Sequence, residues 1–332
     1  MIASAPVASC PIPDTVTRSD TQWAVALFVA RETPDTLAAS LLAAICACGD
    51  TPSTIAVLVN GNDALAEAAI GIVERLTDLP SSCRIELWNI APGDKAHAWN
   101  VYLHEVAVDA DLSFFVDGYA QVRPDAFRLL ADALHGDPAL LAGTGVPTVG
   151  RSAEALRRQM LANGGLHGNL YVFPRHVMQL LKRCGFHLPR GLYRNDSLLG
   201  ALCNYNFDPA QASWNPRRVL VHPAVSWGLQ EVHASPLGWL QGQYKRLLRQ
   251  AQGTLENIAV RDHFSLRKLA PETLPQTVTA LVREWVGRHP EHAGHLFRRH
   301  PLTRLAYAKL CRAPAIDSVA NELQLLAAQP KA

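Results

Sequence analysis

Several things are missing from this 332-residue chain, and each absence narrows what it can be. No apolar run approaches the roughly 18 residues that cross a bilayer. No basic-then-apolar leader opens the chain, whose first Lys or Arg is Arg18. The expectation is a cytoplasmic protein. The seven cysteines (10, 46, 48, 83, 184, 203 and 311) are odd in number and scattered. Cys46 and Cys48 form a C-x-C with no second pair and no nearby His, so no zinc site is expected and all seven read as reduced, mostly buried thiols. Charge of one sign is missing overall, at +2, but not locally. From Glu231 onward fourteen Lys and Arg face eight Asp and Glu, so the tail is near +6 and the front near −4. Few aromatics lie among those basic residues, which argues against nucleic-acid binding.

What is present is an α/β pattern. Residues 1–21 hold three prolines and no periodicity and read as a loose leader. Trp23 to Ala30 is an apolar run of strand length, closed by a polar turn with Pro34 and capping residues, then a helical stripe of Leu37, Leu41, Leu42 and Ile45. Ile55 to Val59 is a second strand, ending in Asn60-Gly61-Asn62-Asp63. Arg84 to Ile90 alternates like a third and delivers the chain to Gly93-Asp94-Lys95. Leu112 to Val116 is a buried strand that stops at Asp117, and Pro124-Asp125-Ala126 opens the helix of Phe127, Leu130 and Leu134. A carboxylate at the carboxyl end of such a strand is poorly placed for packing and well placed for chemistry. Ala139 to Val146 reads as another strand. A charged helix from Arg151 to about Ala162 follows, then a glycine-rich strand around Gly164 to Val172 and Asp196 at the head of a Leu-rich helix. Beyond Asn257 helices are expected, broken at prolines 271, 275, 290 and 301.

The segment GDKAHAWN, with Lys95 and Asn100, resembles the G-K-x-x-A-x-N segment of family 2 glycosyltransferases, and FFVDGYAQVRPDAF resembles that family's strand ending in a D-x-D motif before a Pro-led helix. Weaker matches extend the resemblance over residues 22 to 255. Arg31 and Glu32 lie near the positions of a P-x-Y-N-E-E segment, and Asn60-Gly61-x-Asp63 outlines a D-x-G-S-x-D turn. Asn195-Asp196 stands for an E-D motif, and Gln243 with Arg246 for Q-x-x-R-W, Leu247 replacing the Trp. The resemblance implies a GT-A fold: a Rossmann-like three-layer α/β/α domain over 22–230, with a basic, mainly helical extension over 231–332. The implied activity is inverting transfer of a sugar from a nucleotide-sugar donor to an acceptor hydroxyl.

Roles carried over by the resemblance go residue by residue. Asn60 and Asp63 would hold base and ribose, although the same residues satisfy a turn and an N-cap. Lys95 and Asn100 would serve the diphosphate. Asp117 would hold Mg²⁺ or Mn²⁺, since two carboxylates one residue apart at a strand end can share a cation. Here Tyr119 replaces the second carboxylate, which leaves Asp117 holding the metal with waters and phosphates, or no metal needed. Asp109-Ala110-Asp111 spells D-x-D but precedes the strand. Arg246 or Arg249 would neutralise the departing diphosphate, or simply lie on a solvated helix face.

Asp196 would be the general base, because a hydroxyl attacking an anomeric carbon must lose a proton as the bond forms. The bland alternative makes Asp196 an N-cap. Asn195 in place of Glu removes a charge that would have raised the pKa of the Asp. His167 and His222 are further candidates, each with an ordinary surface reading. The acceptor is unidentified, and the basic C-terminal helices could touch the inner face of an anionic membrane. Against the transferase stands a GT-A-like binding or scaffold protein without activity, to which the departures at Tyr119, Asn195 and Leu247 all point. A nucleotidyltransferase would want a glycine-rich basic loop after the first strand, and ARETPDT has no glycine.

Overall fold

The computed structural model describes residues 22–150, 153–229, 236–312 and 323–329. The expected leader over 1–21, Cys10 and Arg151 lie outside them. The apolar runs form strands: β1 (Trp23–Val29), then helix α1 (Pro34–Cys48), β2 (Ser53–Asn60), α2 (Asp63–Glu74), β3 (Cys83–Ile90), α3 (Lys95–Val101) and β4 (Leu112–Asp117). Every residue of β1 and β2 is buried, as expected of parallel strands covered on both faces. Side chains alternate between two cores. Ala26 and Phe28 of β1 face one, and Trp23, Val25, Leu27 and Val29 the other. This period of two makes the three layers.

The chain continues through β5 (Ala120–Val122), α4 (Ala126–Gly136), β6 (Ala142–Thr144), α5 (Ala153–Asn163), β7 (Leu170–Pro174), α6 (Arg175–Arg183), α7 (Asn195–Asn204), β8 (Val219–Val221) and β9 (Trp227–Leu229). The tail carries α8 (Pro236–Arg261), α9 (Val278–Arg288), α10 (Pro290–Arg299), α11 (Pro301–Arg312) and β10 (Leu323–Gln329). Pro290 and Pro301 stand in the first turns of their helices, where a missing N–H costs nothing.

The main sheet runs β10-β3-β2-β1-β4-β7-β6-β8, and β5 pairs with β9 separately. β1, β2, β3 and β4 are parallel, whereas β7 is antiparallel to β4. After β3 the chain returns to the far side of β1 to lay down β4. The strand order therefore reverses between β1 and β4, and an open α/β sheet binds its ligands at the carboxyl ends of strands at such a point.

The tail is mainly helical, as expected, and adds one strand: β10 closes the open edge of the sheet antiparallel to β3. LQLLAAQ has no strand-like alternation, and the unpaired N–H and C=O groups along β3 override its helical propensity. The tail packs on the main domain: Leu255, Ala259 and Val260 of α8 share one cluster with Phe115, Tyr171 and Leu198. Phe297 of α10 stacks on Tyr307 of α11 at 5.4 Å, so the basic helices bury part of their apolar surface against each other. No helix among the described residues is long and apolar enough to cross a membrane.

Candidate active site

Asp117 ends β4 at the reversal point. The turn after it is fixed by Gly118, whose N–H donates to the Phe28 carbonyl at 2.7 Å. A methyl group on Gly118 would stand 2.8 Å from that carbonyl oxygen and 2.9 Å from Val29 Cγ2, so only glycine lets the loop lie against β1. The neighbouring loops are equally close. Gly61 has φ +63°, and a Cβ there would fall 2.2 Å from Gly93 Cα, which locks the turn after β2 to the turn that launches Lys95.

Both oxygens of Asp117 are engaged. The Lys95 ammonium forms an ion pair with Oδ1, and the Tyr119 hydroxyl lies 3.0 Å from Oδ2 and 3.1 Å from Asn169 Oδ1. Only 13 % of the Asp117 side chain is exposed, against 34 % for Lys95. The Tyr119 ring is half-exposed while its hydroxyl turns inward. Burial of that hydroxyl, then the adjacent Asp117 charge, pushes its pKa upward and holds it as a neutral donor.

Asp196 reaches the same place from the other side. Gly168 lies between the two carboxylates: a Cβ on it would be 3.6 Å from Asp196 Oδ2 and 3.8 Å from Asp117 Oδ2. Asp196 is not the N-cap of α7. Arg194 holds that position with no side-chain cap, and Asp196 sits in the first turn, accepting from Gly168 N at 3.1 Å and Ser197 N at 2.9 Å. No cation pairs with it among the described residues. His167 adjoins both carboxylates. Burial chiefly lowers its pKa, against the pull of Asp196 and Asp117, and its Nδ1 accepts from Asn169 N at 3.2 Å, so the neutral ring carries its proton on Nε2.

The remaining residues named from the sequence divide. Asn60 is buried and donates its amide to the Val29 carbonyl at 2.9 Å, tying the ends of β1 and β2 together. Asp63 opens α2 after the N-cap Asn62 and accepts from Asn89 Nδ2 at 3.2 Å. Asn100 is a correction. It is 7 % exposed, and its amide bonds both backbone groups of Leu188, at 2.9 and 2.8 Å, which is a structural clamp rather than a diphosphate contact. Arg246 and Arg249 are exposed on α8 and are not joined to this cluster by any hydrogen bond or ion pair among the described residues. The literal D-x-D at Asp109 and Asp111 lies at the opposite end of β4, where Arg175 grips both carboxylates at 2.7 and 2.9 Å. His222 turns back on its own loop, its Nδ1 accepting from Ala224 N.

Sequence reasoning missed the supports. Asp94 caps α3 through Ala96 N and accepts from Gly191 N at 2.7 Å, joining the Lys95 turn to the loop that carries Asp196. Glu256 of α8, fully buried, accepts from Tyr193 N and Arg194 N at 2.9 to 3.1 Å and so caps α7 from another helix. Burial raises its pKa, opposed by those same N–H donors and by Gln252. One signal was present: a single carboxylate within the apolar stripe of Leu255, Ala259 and Val260.

A divalent ion does not fit this donor set well. Among the described residues no group of three His, Cys, Asp or Glu can hold a metal. Asp117 is the sole carboxylate at the strand end, its oxygens already face two donors, and position 119 contributes a phenol.

No family model matches the chain, and no curated protein matches its sequence. Solved structures do. A mannosyltransferase from Pyrobaculum calidifontis, solved with GDP-Man and Mn²⁺, has a TM-score of 0.54 at 18 % identity, covering 87 % of this chain and 84 % of its own. Glucosyl-3-phosphoglycerate synthase from Mycobacterium tuberculosis, solved with Mn²⁺, UDP-Glc and glycerol 3-phosphate, has a TM-score of 0.44 at 19 % identity, covering 73 % and 79 %. TarS 1-349 of S. aureus, solved with UDP-GlcNAc, has 0.45 at 13 %, covering 92 % and 97 %. At 18 % identity the likeness to the mannosyltransferase is one of fold, and the chain has the GT-A fold that the resemblance implied.

Proposed function

We propose that the chain is an inverting glycosyltransferase that moves a sugar from a nucleotide-sugar donor to an acceptor hydroxyl, with Asp196 as general base. The observation that carries this reading is the pair of carboxylates around Gly168. One is tied to an ammonium and a phenol at the strand end, and the other accepts only backbone N–H groups. In this reading the nucleotide diphosphate lies over the turns after β1, β2 and β3, against Lys95. Asp63, exposed at the start of α2, faces the ribose side. Asp196 takes the acceptor proton as the new glycosidic bond forms and the diphosphate departs. A base here contributes about 10²- to 10⁴-fold to the rate. A charge left without a cation partner keeps lone pairs available for that proton.

The test is turnover of a panel of nucleotide sugars with simple hydroxyl acceptors, following the anomeric configuration of the product by NMR. Transfer with inversion that collapses in Asp196→Asn supports the reading. Retention, or an undiminished Asp196→Asn, overturns it. A competing reading, a GT-A protein that binds without transferring, draws on the closed Lys95–Asp117–Tyr119 cluster. Nucleotide binding with no turnover of any donor would favour it.

A further inference from the structure

We infer that the donor diphosphate is held here by the Lys95 ammonium in place of a divalent cation, so that nucleotide binding is independent of metal. The inference rests on the donor-site reading above and goes beyond it by replacing the Mg²⁺ or Mn²⁺ that the family resemblance implies. Three observations converge. Lys95 is already seated on Asp117, the one carboxylate a metal would use. Tyr119 occupies the position of a second carboxylate and brings a hydroxyl that donates to Asp117 rather than an oxygen anion that binds a cation. No other His, Cys, Asp or Glu among the described residues completes a set of three.

The chemistry is self-consistent. Mg²⁺ is usually held by one or two carboxylates together with waters and substrate phosphates, and here the one carboxylate at the strand end is already paired with an ammonium. An ammonium is a point charge with three donors and suits a phosphate without any such geometry. Lys95 is held between the Asp117 carboxylate and the face of Phe28, 5.7 Å from its centroid, while a third of its side chain remains open to solvent. In this arrangement Asp117 positions the lysine and also neutralises part of its charge. Removing the carboxylate charge frees the ammonium for phosphate, whereas in a metal clamp it removes the ligand. The two mechanisms therefore predict opposite signs for one substitution.

The experiment is calorimetric titration of the whole chain with UDP, GDP, ADP, CDP and dTDP, in EDTA and in Mn²⁺. Wild type is compared with Lys95→Ala, Lys95→Arg and Asp117→Asn, and folding of each variant is checked by circular dichroism. The expected result is that one nucleotide binds equally in EDTA and Mn²⁺. Lys95→Ala loses about tenfold or more, the scale of one charge-assisted hydrogen bond to phosphate, while Lys95→Arg retains most of the affinity. Asp117→Asn binds as well as wild type or more tightly in EDTA. Binding that requires Mn²⁺ and vanishes in Asp117→Asn overturns the inference while leaving the donor site standing. No binding of any nucleotide under either condition overturns the inference and the donor-site reading together.

Discussion

Asp117 and Asp196 flank the same glycine, yet their surroundings are opposite. Asp117 faces an ammonium and a phenol, both from side chains. Asp196 faces two backbone N–H groups. Side-chain partners can be displaced by a ligand, so Asp117 belongs to a part of the site that can rearrange. Backbone partners hold a carboxylate in one orientation, and Asp196 is further fixed because its loop is clamped by Asp94 on one side and Glu256 on the other. In the proposed mechanism the same residue type takes a positioning task at one strand end and a proton-transfer task at a helix start.

The comparison is broken most directly by Asp196→Asn, which should reduce transfer about 10²- to 10⁴-fold with nucleotide affinity unchanged, as measured by initial rates and calorimetry side by side. A near-normal rate would mean the base lies elsewhere. Next in size is Glu256→Ala. It strands two N–H groups at the head of α7 and opens a gap beside a fully buried position of α8, costing about 2–4 kcal/mol in chemical denaturation. If the clamp serves Asp196, turnover falls further than the loss of folded protein explains.

Gly118→Ala tests the strand end. The new methyl meets the Phe28 carbonyl, and the backbone shift should cost about 1–3 kcal/mol, read as a lower midpoint in urea. Tyr119→Phe sharpens the contrast more gently, since losing one shared hydroxyl costs about 0.5–1.5 kcal/mol and loosens Asp117 without touching Asp196. The smallest effect is that of pH through His167. Its pKa is lowered on folding, so the unfolded chain binds the proton more readily. The stability it contributes is present above the ordinary histidine value of about 6.5 and is lost as pH falls through the folded value. Protonation also sets an Nδ1–H against Asn169 N–H. Melting temperatures across this range should show a shallower acid limb in His167→Gln.

Much of the fold was legible. Runs such as WAVALFV and STIAVLVN mark strands covered on both faces, because parallel strands bury every side chain. Thr33 with Pro34, and Asn62 before Asp63, mark helix starts because orphan N–H groups need a cap. Asp117 stood out as a charge at the end of an apolar strand. Asn100 misled, since a polar residue in a motif looks the same whether it meets a ligand or the backbone of Leu188. β10 was invisible, because what makes LQLLAAQ a strand is the open edge of β3, more than 230 residues earlier in the chain.

The sequence by itself determined the local alphabet of this protein: its buried parallel strands, capped helices, the turn glycines and the replacement of a carboxylate by Tyr119. These depend on near neighbours, through periodicity, φ preference and capping. Only the tertiary structure decided which charges meet. Lys95 and Asp117 are 22 residues apart, Asp196 and Gly168 28, and Glu256 and Arg194 62. Electrostatic and hydrogen-bond energies depend on distance in space, and at those separations the sequence alone does not specify that distance.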